Sequence, residues 1–341
     1  MLCPRVERTL WSLIVCLPVA VSAAEPPVAK PPDAEIVDVR KIWDAAPHNA
    51  FTDLIRHRDR WYCVFREGQA HVSPDGALRV LTSDDGETWK SASLVTSETA
   101  DLRDAKITVT PDGRLMLSGA GALHPPAAAK HQSYVWFSDD GSAWSDAIAI
   151  GDPDFWIWRV VWHKETAYGI GYETTDPKRI RLFHSRDGRA FDVLVPELLT
   201  EGYPNETSLI FQEDDTCLCL LRRDGTPNSA LLGRAQPPYT DWTWDDLELR
   251  IGGPHFVTLP DGRIVVAGRH YPGGATTRLW WLETGKPALH EIATFPSGGD
   301  TSYPGLVYHD GLLWVSYYSS HEGKTSIYLA RVKLPPRGSG S

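Results

Sequence analysis

The distribution of apolar and polar positions along the chain repeats one unit six times: an apolar run, a tight polar turn and a second apolar run. In the first copy, the apolar pair Leu54 and Ile55 precedes the turn, and residues 61–65 follow it. Self-similarity with a period of about 20 to 50 residues indicates a repeat architecture. The turns lie 53, 53, 50, 46 and 49 residues apart, at Asp59, Asp112, Glu165, Asp215, Asp261 and Asp310.

Each spacing accommodates about four short strands with their turns, which is the content of one propeller blade. After the last turn and its second apolar run, the sequence supplies one further good strand, at 326–334, while another apolar segment, at 34–43, precedes the first repeat. Pairing these two segments would complete the last blade, close the ring and remove an open sheet edge. Periodic apolar runs of helical length are absent. The sequence therefore predicts an all-β, six-bladed β-propeller as a single domain at 34–334, followed by a flexible tail at 335–341.

The segment before the propeller has the organisation of an export signal. Arg5 and Arg8 form a short basic start, residues 10–21 are mainly apolar, and small residues at 22–24 offer a cleavage site. We therefore predict a cleavable signal peptide at 1–24 and a secreted or periplasmic protein.

The signal peptide is followed by a Pro-rich leader at 25–33. A lipoprotein would use Cys16 as its attachment site, but the bulky Val15 before this cysteine opposes that alternative. The apolar run is too short to span a bilayer, and no later apolar run is long enough. No membrane span is predicted.

Charge excludes a further class of partner. The 341-residue chain carries a formal charge of −10 and has a pI near 5.6. Such a chain lacks the positive field that drives phosphate binding, so nucleic acid is excluded as an expected partner.

The chain also contains 14 tryptophans. Blade packing accounts for most of them, while Trp156 and Trp158, at the mouth of the third blade, are candidates to contact a sugar.

A second motif, S-x-D-G-x-x-W, lies further along three of the repeats. Residues 83–89 read SDDGETW, residues 138–144 read SDDGSAW, and residues 185–191 read SRDGRAF, with Phe replacing Trp. In such a turn the Ser and Asp side chains satisfy amides, Gly takes the left-handed conformation, and the aromatic ring packs between strands. The acids could instead be calcium ligands, but their repetition with each blade favours the structural role. This motif is the Asp-box, or BNR repeat, and its combination with six blades resembles the sialidase superfamily over nearly the entire mature chain.

Charged residues concentrate at one end of the predicted inner strands. In a propeller, the residues before each first strand and after each second strand converge on one pocket near the axis. Any single one of them can be a structural, salt-bridged residue, but burying many charges is costly unless a ligand or mutual pairing uses them. We therefore predict a substrate pocket. The candidate substrate-binding residues are Arg66, Arg103, Arg159, Arg222, Arg269, His71, Asp300, Tyr317, His321, Glu322 and Trp158.

The resemblance to sialidases implies roles for some of these residues. Those enzymes hold a substrate carboxylate with three arginines, use an aspartate as acid/base and attack with a tyrosine polarised by a glutamate, an exception to the two-carboxylate scheme. Residues 205–210, NETSLI, resemble the strand bearing the glutamate, and residues 302–306, SYPGL, resemble the strand bearing the tyrosine. The resemblance thus implies Tyr303 as nucleophile, Glu206 as its base, and Arg222 with Arg269 or Arg278 as anion clamps, Arg269 being favoured by its place at the pocket.

Two parts of the family's pattern lack a direct match. Sialidases begin the first inner strand with an aromatic-Arg-Ile-Pro motif, whereas this chain has NAFTDL at 49–54. Their acid/base aspartate follows the first hairpin, where this chain offers GQAH at 68–71, and Asp75 is more simply a turn residue. A changed anchor suggests an acidic or otherwise unusual sugar. The candidates to replace the arginine are Arg66 and Arg103, and those to supply the proton are Asp101, Asp104, His71 and Glu67.

These observations predict a secreted, retaining exo-glycosidase, an exo-α-sialidase or a related enzyme, whose partner is a glycan bearing an acidic sugar. Two alternatives remain: a polysaccharide lyase, in which Tyr and His abstract a proton beside a uronate carboxylate, and a non-catalytic carbohydrate-binding propeller. No cofactor is expected. No metal site is expected either, because the His321–Glu322 pair lacks a second His at helical spacing.

Overall fold

The structure, a computed structural model, describes residues 1–2 and 33–337, and the regular secondary structure of this part consists of strands. Apart from its first two residues, the predicted signal peptide lies outside the described residues. No helix in the described part is long and apolar enough to cross a membrane. The strands are β1 (Glu35–Trp43), β2 (His48–His57), β3 (Arg60–Gly68), β4 (Ala77–Ser83), β5 (Lys90–Val95), β6 (Ala100–Val109), β7 (Leu115–Leu123), β8 (His131–Ser138), β9 (Ile148–Ile150), β10 (Phe155–His163), β11 (Thr166–Glu173), β12 (Ile180–Ser185), β13 (Asp192–Leu199), β14 (Pro204–Phe211), β15 (Cys217–Arg223), β16 (Leu231–Ala235), β17 (Thr243–Asp246), β18 (Ile251–Thr258), β19 (Ile264–His270), β20 (Thr276–Glu283), β21 (Ala288–Thr294), β22 (Thr301–His309), β23 (Leu312–Ser319) and β24 (Ser326–Lys333).

The strands form six four-stranded antiparallel sheets, the blades. Blades 1 to 5 each use four consecutive strands: β2 to β5, β6 to β9, β10 to β13, β14 to β17 and β18 to β21. Blade 6 contains β22, β23 and β24 and is completed by β1. The predicted all-β, six-bladed propeller is confirmed.

The N-terminal strand closes the ring. Strand β1 pairs antiparallel with β24, with Val39 opposite Ala330 and Ile36 opposite Val332. The predicted pairing of the two ends of the propeller in its last blade is therefore confirmed. It ties the first blade to the last through main-chain hydrogen bonds and covers an edge that would otherwise be open.

Apolar side chains fill the spaces between adjacent blades. Trp61 of blade 1 packs on Trp314 of blade 6, with ring centroids 4.5 Å apart. Trp280 of blade 5 is among the largest fully buried side chains of the described residues. Burying one large apolar side chain contributes about 1.5 to 3 kcal/mol. Packing of this kind on both faces of the blades holds the inner strands in fixed positions around the axis.

The Asp-box sequences form the turns between the third and fourth strands of blades 1 to 3. In the first turn, Ser83 Oγ accepts a hydrogen bond from the amide of Gly86, and Asp85 Oδ1 accepts from the amides of Glu87 and Thr88, each at 2.8 Å. Gly86 has φ 74°, a conformation that suits glycine. These oxygens are used by the turn itself, which supports the structural interpretation over a calcium site.

Candidate functional site

Each blade carries a β-bulge at the same place in its inner hairpin. The pairing between first and second strands shifts at Ala50/Asp53, Arg103/Lys106, Ile157/Val160, Pro204/Thr207, Gly252/His255 and Ser302/Gly305. A bulge takes residues out of the ladder and re-aims their side chains. Because the first strands surround the axis, the bulges surround it too. We call one residue from each bulge, taken together, the bulge ring: Phe51, Asp104, Trp158, Glu206, Gly253 and Tyr303.

Four members of the bulge ring have a left-handed backbone. The φ angles are 65° at Phe51, 55° at Asp104, 57° at Gly253 and 52° at Tyr303. This conformation is uncommon for residues that carry a Cβ, and it is concentrated at functional sites. At position 253 only glycine fits, because a Cβ there would lie 2.7 Å from the ring of Tyr303. The backbone of the ring is thus specialised to bring these side chains together.

Tyr303, Glu206 and Arg222 form a hydrogen-bonded triad. The Tyr303 hydroxyl donates to Glu206 Oε1 at 2.6 Å. Arg222 Nη1 donates to Glu206 Oε2 at 2.7 Å and to the Tyr303 hydroxyl at 3.1 Å. The amide of Gly253 also donates to Glu206 Oε2, at 2.8 Å. The carboxylate of Glu206 is therefore fixed from one side and faces the phenol with its other oxygen.

Aromatic rings enclose Tyr303. The rings of Phe51, Trp158 and Tyr318 lie 5.1, 5.4 and 5.8 Å from its own ring, and the guanidinium of Arg269 lies 5.2 Å from its centroid. Burial, reinforced by the charge of Glu206, raises the pKa of Tyr303 well above its ordinary value. Tyr303 is therefore a neutral phenol at physiological pH, and its proton can leave only toward an adjacent base.

Asp104 is a second buried carboxyl group at this site. Its burial raises its pKa to about 6, although the positive charges of Lys106 and Arg103 act in the opposite direction. The negative charge of Glu206 adds to the increase. The ammonium group of Lys106 lies 4.6 Å from the centroid of Trp158, and burial lowers the pKa of Lys106 to about 8. Asp104 can thus hold or release a proton near neutral pH, as a general acid/base must.

Arg269 and Asp300 belong to a polar cluster beside the triad. Arg269 Nη2 donates to the hydroxyl of Tyr318 at 2.9 Å, and that hydroxyl donates to Asp300 Oδ1 at 2.7 Å. The other oxygen of Asp300, Oδ2, lies 2.7 Å from His71 Nδ1 and 3.0 Å from His48 Nε2. Arg269 and Arg222 therefore both contact Tyr303, Arg269 through its ring and Arg222 through its hydroxyl.

Arg66 and Asp101 form a buried ion pair that makes no hydrogen bond to the triad. Arg66 is fully buried, and its Nε and Nη2 donate to Asp101 Oδ1 at 2.9 and 2.8 Å. Its remaining donors reach the carbonyls of Ala70 and Ser73, at 2.8 and 3.1 Å. A guanidinium with this many internal acceptors has no free face for a ligand. These contacts favour a structural role for both residues, and the substrate-binding role of Arg66 and the catalytic role of Asp101 stay predictions.

Two other predicted arginines also face acids of the protein. Arg103 lies 3.3 Å from Asp101 Oδ2 and donates to the carbonyl of His71. Arg159 is buried, and its Nη1 donates to Asp53 Oδ2 at 2.7 Å. Arg159, Asp53 and His255 line an axial cavity of about 460 Å³, whose remaining walls are mainly apolar residues of the inner strands. Arg159 therefore belongs to the axis of the ring, whereas its neighbour Trp158 contacts Tyr303.

Three predicted residues of blade 6 lie apart from the triad. Tyr317 is completely buried in the core of its blade, and its hydroxyl donates to the carbonyl of Pro296 at 2.9 Å. His321 Nδ1 lies 2.9 Å from the hydroxyl of Ser319, and Glu322 accepts a hydrogen bond from Tyr328. These contacts satisfy all three side chains within blade 6. Such contacts do not favour substrate binding, and the substrate-binding roles of Tyr317, His321 and Glu322 stay predictions.

Sequence reasoning did not identify His48, Lys106 or Gly253 as site residues. A signal was present for two of them. Gly252-Gly253-Pro254 interrupts a strand, and glycine in a strand often marks a bulge or a close backbone approach. Lys106 is a single charge within the apolar part of β6. His48 carries no local signal, because its partner Asp300 is 252 residues away.

No protein family model and no curated protein matches the sequence. Solved structures do match. A protein of unknown function from Dyadobacter fermentans has a TM-score of 0.78 at 20% identity, covering 89% of this chain and 100% of that chain. A mutant of an α-L-arabinofuranosidase from Fusarium graminearum has a TM-score of 0.71 at 15% identity, covering 88% and 98%.

Trypanosoma rangeli sialidase has a TM-score of 0.67 at 11% identity, covering 84% of this chain and 55% of that chain. An α-L-arabinanase from Penicillium chrysogenum has a TM-score of 0.69 at 14% identity, covering 87% and 98%. At these identities the similarity concerns the fold. The chain has the six-bladed β-propeller fold, and it shares this fold with structures named sialidase, α-L-arabinofuranosidase and α-L-arabinanase.

Proposed function

We propose that the protein is a retaining glycoside hydrolase in which Tyr303 is the nucleophile and Glu206 is its base. The observation that carries the proposal is the 2.6 Å hydrogen bond from the Tyr303 hydroxyl to Glu206 Oε1 at the centre of the bulge ring. A phenol is a weak nucleophile unless a neighbouring base accepts its proton. Arg222 holds the glutamate and the phenol in position through two hydrogen bonds from one nitrogen.

In the first step, the Tyr303 oxygen attacks the anomeric carbon while its proton passes to Glu206. Asp104 donates a proton to the departing glycosidic oxygen, so the leaving group departs neutral. In the second step, the ionised Asp104 accepts a proton from water as that water attacks the anomeric carbon. Glu206 then returns its proton to Tyr303. Two displacements at one carbon give net retention of configuration.

Between the two aspartates considered as acid/base, the contacts favour Asp104, because Asp101 is committed to Arg66. If Asp104 is the acid, kcat/KM of the wild type should fall above pH about 6, where Asp104, whose pKa is raised to about 6 by burial, loses its proton. Asp104→Asn should remove this decline and lower the rate on a natural glycoside by about 100-fold or more. The measurement is a pH–rate profile for each protein.

Leaving-group dependence provides the internal control for this prediction. A dinitrophenyl glycoside needs little protonation, so Asp104→Asn should slow its hydrolysis far less than that of an alkyl glycoside. Asp241→Asn, an exposed aspartate of blade 4, should keep the wild-type profile. A decline above pH 6 that persists in Asp104→Asn would assign the proton to another group.

We further propose that the substrate carries an acidic sugar. Arg222 and Arg269 flank Tyr303, and Arg222 Nε is buried without a hydrogen-bond partner among the described residues. A neutral furanoside is a second candidate, because each arginine already faces an acid: Arg222 faces Glu206 and Asp224, and Arg269 faces Asp300. Two of the structural neighbours are named for arabinose-containing substrates.

A panel of glycosides separates these possibilities. Release of sugar from 4-methylumbelliferyl sialoside or from aryl uronides would support an acidic substrate, and release from 4-nitrophenyl α-L-arabinofuranoside would support the neutral one. Appearance of an unsaturated product absorbing in the ultraviolet would instead identify a lyase. Sugar binding with no turnover of any glycoside would contradict the hydrolase proposal and favour a carbohydrate-binding propeller.

Secretion, proposed from the N-terminal signal, is tested by N-terminal sequencing of the exported protein.

A further inference from the structure

Two imidazoles and one carboxylate converge beside the triad. His48 begins β2, His71 lies in the loop after β3, and Asp300 directly precedes β22. His71 Nδ1 and His48 Nε2 lie 2.7 and 3.0 Å from the same oxygen, Asp300 Oδ2. One ligand atom from each residue lies within 4.8 Å of the other two. Three segments that are distant in the sequence therefore direct their donor atoms at one point.

The donor set has the chemistry of a transition-metal site. Two imidazole nitrogens and one carboxylate oxygen suit Zn²⁺, Co²⁺ or Ni²⁺, whereas Ca²⁺ and Mg²⁺ prefer oxygen ligands. With metal–ligand bonds of about 2.0 to 2.2 Å, tetrahedral ligand atoms lie roughly 3.3 Å apart. The observed nitrogen–oxygen distances of 2.7 and 3.0 Å are shorter than this, so the two imidazoles must move outward from Asp300 Oδ2 by roughly half an ångström to admit an ion. We propose that His48, His71 and Asp300 bind one divalent transition metal ion, with Zn²⁺ as the simplest occupant.

The surrounding contacts hold the three residues in place, as outer contacts do at metal sites. Asp300 Oδ1 accepts from Tyr318, and the Asp300 amide donates to Ser320 Oγ at 2.9 Å. The loop that carries His71 is held by Arg66, through the carbonyls of Ala70 and Ser73. The buried Arg66–Asp101 pair therefore supports the proposed metal site. It positions a histidine that would otherwise lie on an unsupported loop.

The environment also leaves room for further ligands. The side chain of His71 is 51% exposed, so water or a substrate oxygen can complete the coordination from the open side. His48 is buried, and its Nδ1 has no hydrogen-bond partner among the described residues. The cluster also contacts Phe51, whose ring lies 5.1 Å from both His71 and Tyr303.

The test uses the full protein without a polyhistidine tag, stripped with a chelator and titrated with Zn²⁺ and, separately, Co²⁺. We expect saturable binding of one ion per chain by calorimetry, together with a visible absorption band for Co²⁺ bound through nitrogen and oxygen. His71→Ala, a change at a half-exposed side chain that should not disturb folding, should abolish saturable binding. Tyr318→Phe, which removes the hydrogen bond to Asp300 Oδ1, should weaken binding by about 10-fold.

His290→Ala is the matched control, because His290 is an exposed histidine whose Nε2 lies 3.4 Å from Glu283 and which is not a member of the His48, His71 and Asp300 cluster. It should leave the stoichiometry and affinity unchanged. Failure of the wild-type protein to bind either ion, or binding by His71→Ala equal to that of the wild type, would overturn the proposal and make the cluster a hydrogen-bonded network only. The titration contains no substrate, so its outcome is independent of whether the protein hydrolyses glycosides. Any role of the ion in holding a sugar rests on the proposed function.

Discussion

Tyr303→Phe is expected to reduce kcat by at least about 1,000-fold, the scale of loss seen when a catalytic nucleophile is removed. The substitution deletes one oxygen atom, the donor to Glu206 Oε1, and leaves the ring between Phe51, Trp158 and Tyr318. The packing of the ring should therefore be preserved, and circular dichroism should be unchanged. The measurement is steady-state hydrolysis of the best glycoside from the panel.

A covalent adduct provides an independent measurement of the same step. A fluorinated glycosyl fluoride of the accepted sugar should label the wild type, and peptide mass spectrometry should place the label on Tyr303. Tyr308→Phe is the matched control, because Tyr308 lies on the same strand with 38% of its surface exposed. Should Tyr303→Phe retain more than a tenth of the wild-type rate, Glu206 would be the better candidate for the nucleophile.

Arg66→Ala is expected to destabilise the fold by about 3 to 5 kcal/mol, the cost of breaking a buried ion pair from one side. The substitution leaves the carboxylate of Asp101 buried, with Arg103, at 3.3 Å, as its remaining ion-pair partner among the described residues. It also deprives the carbonyls of Ala70 and Ser73 of their donors. The measurement is urea-induced unfolding followed by tryptophan fluorescence.

Two further variants separate the ion pair from the loss of side-chain packing. Combining Arg66→Ala with Asp101→Asn should recover part of the lost stability, because the carboxylate that Arg66 neutralised is then no longer charged. Arg60→Ala removes the exposed ion pair between Arg60 and Asp84, and it should leave the urea midpoint of unfolding nearly unchanged. If Arg66→Ala has the same urea midpoint of unfolding as the wild type, the buried pair adds no net stability.

The blades could be predicted from the sequence because their signals are local and repeated. Each inner hairpin is two apolar runs around a polar turn, and the pairing of β1 with β24 follows from one strand left over at each end of the repeats. Tyr303, Glu206 and Arg222 were identified as one group because the resemblance to sialidases placed each of them on its strand.

The remaining site could not be predicted, for physical reasons. The sequence around a charged residue at a strand end is the same whether that residue faces a ligand or a buried counter-charge. The sequence therefore predicts a substrate-binding role for Arg66, whereas the structure pairs Arg66 with Asp101. A bulge displaces the register by one residue, which apolar alternation does not show. His48 and Asp300 meet only after the ring closes.

The bulge ring has a consequence for how such a pocket can change over time. Its members lie where the first strand leaves register with the second, so substituting a side chain there leaves the ladder on either side intact. Five of the six blades thereby contribute a side chain to positions that surround one axis, and blade 5 is the exception because only glycine fits at Gly253. A new specificity can arise by single replacements at these positions, without rebuilding the scaffold. A library of variants randomised at Phe51, Asp104 and Trp158, with Gly253 and Tyr303 kept, would yield proteins that differ in substrate specificity on the same fold.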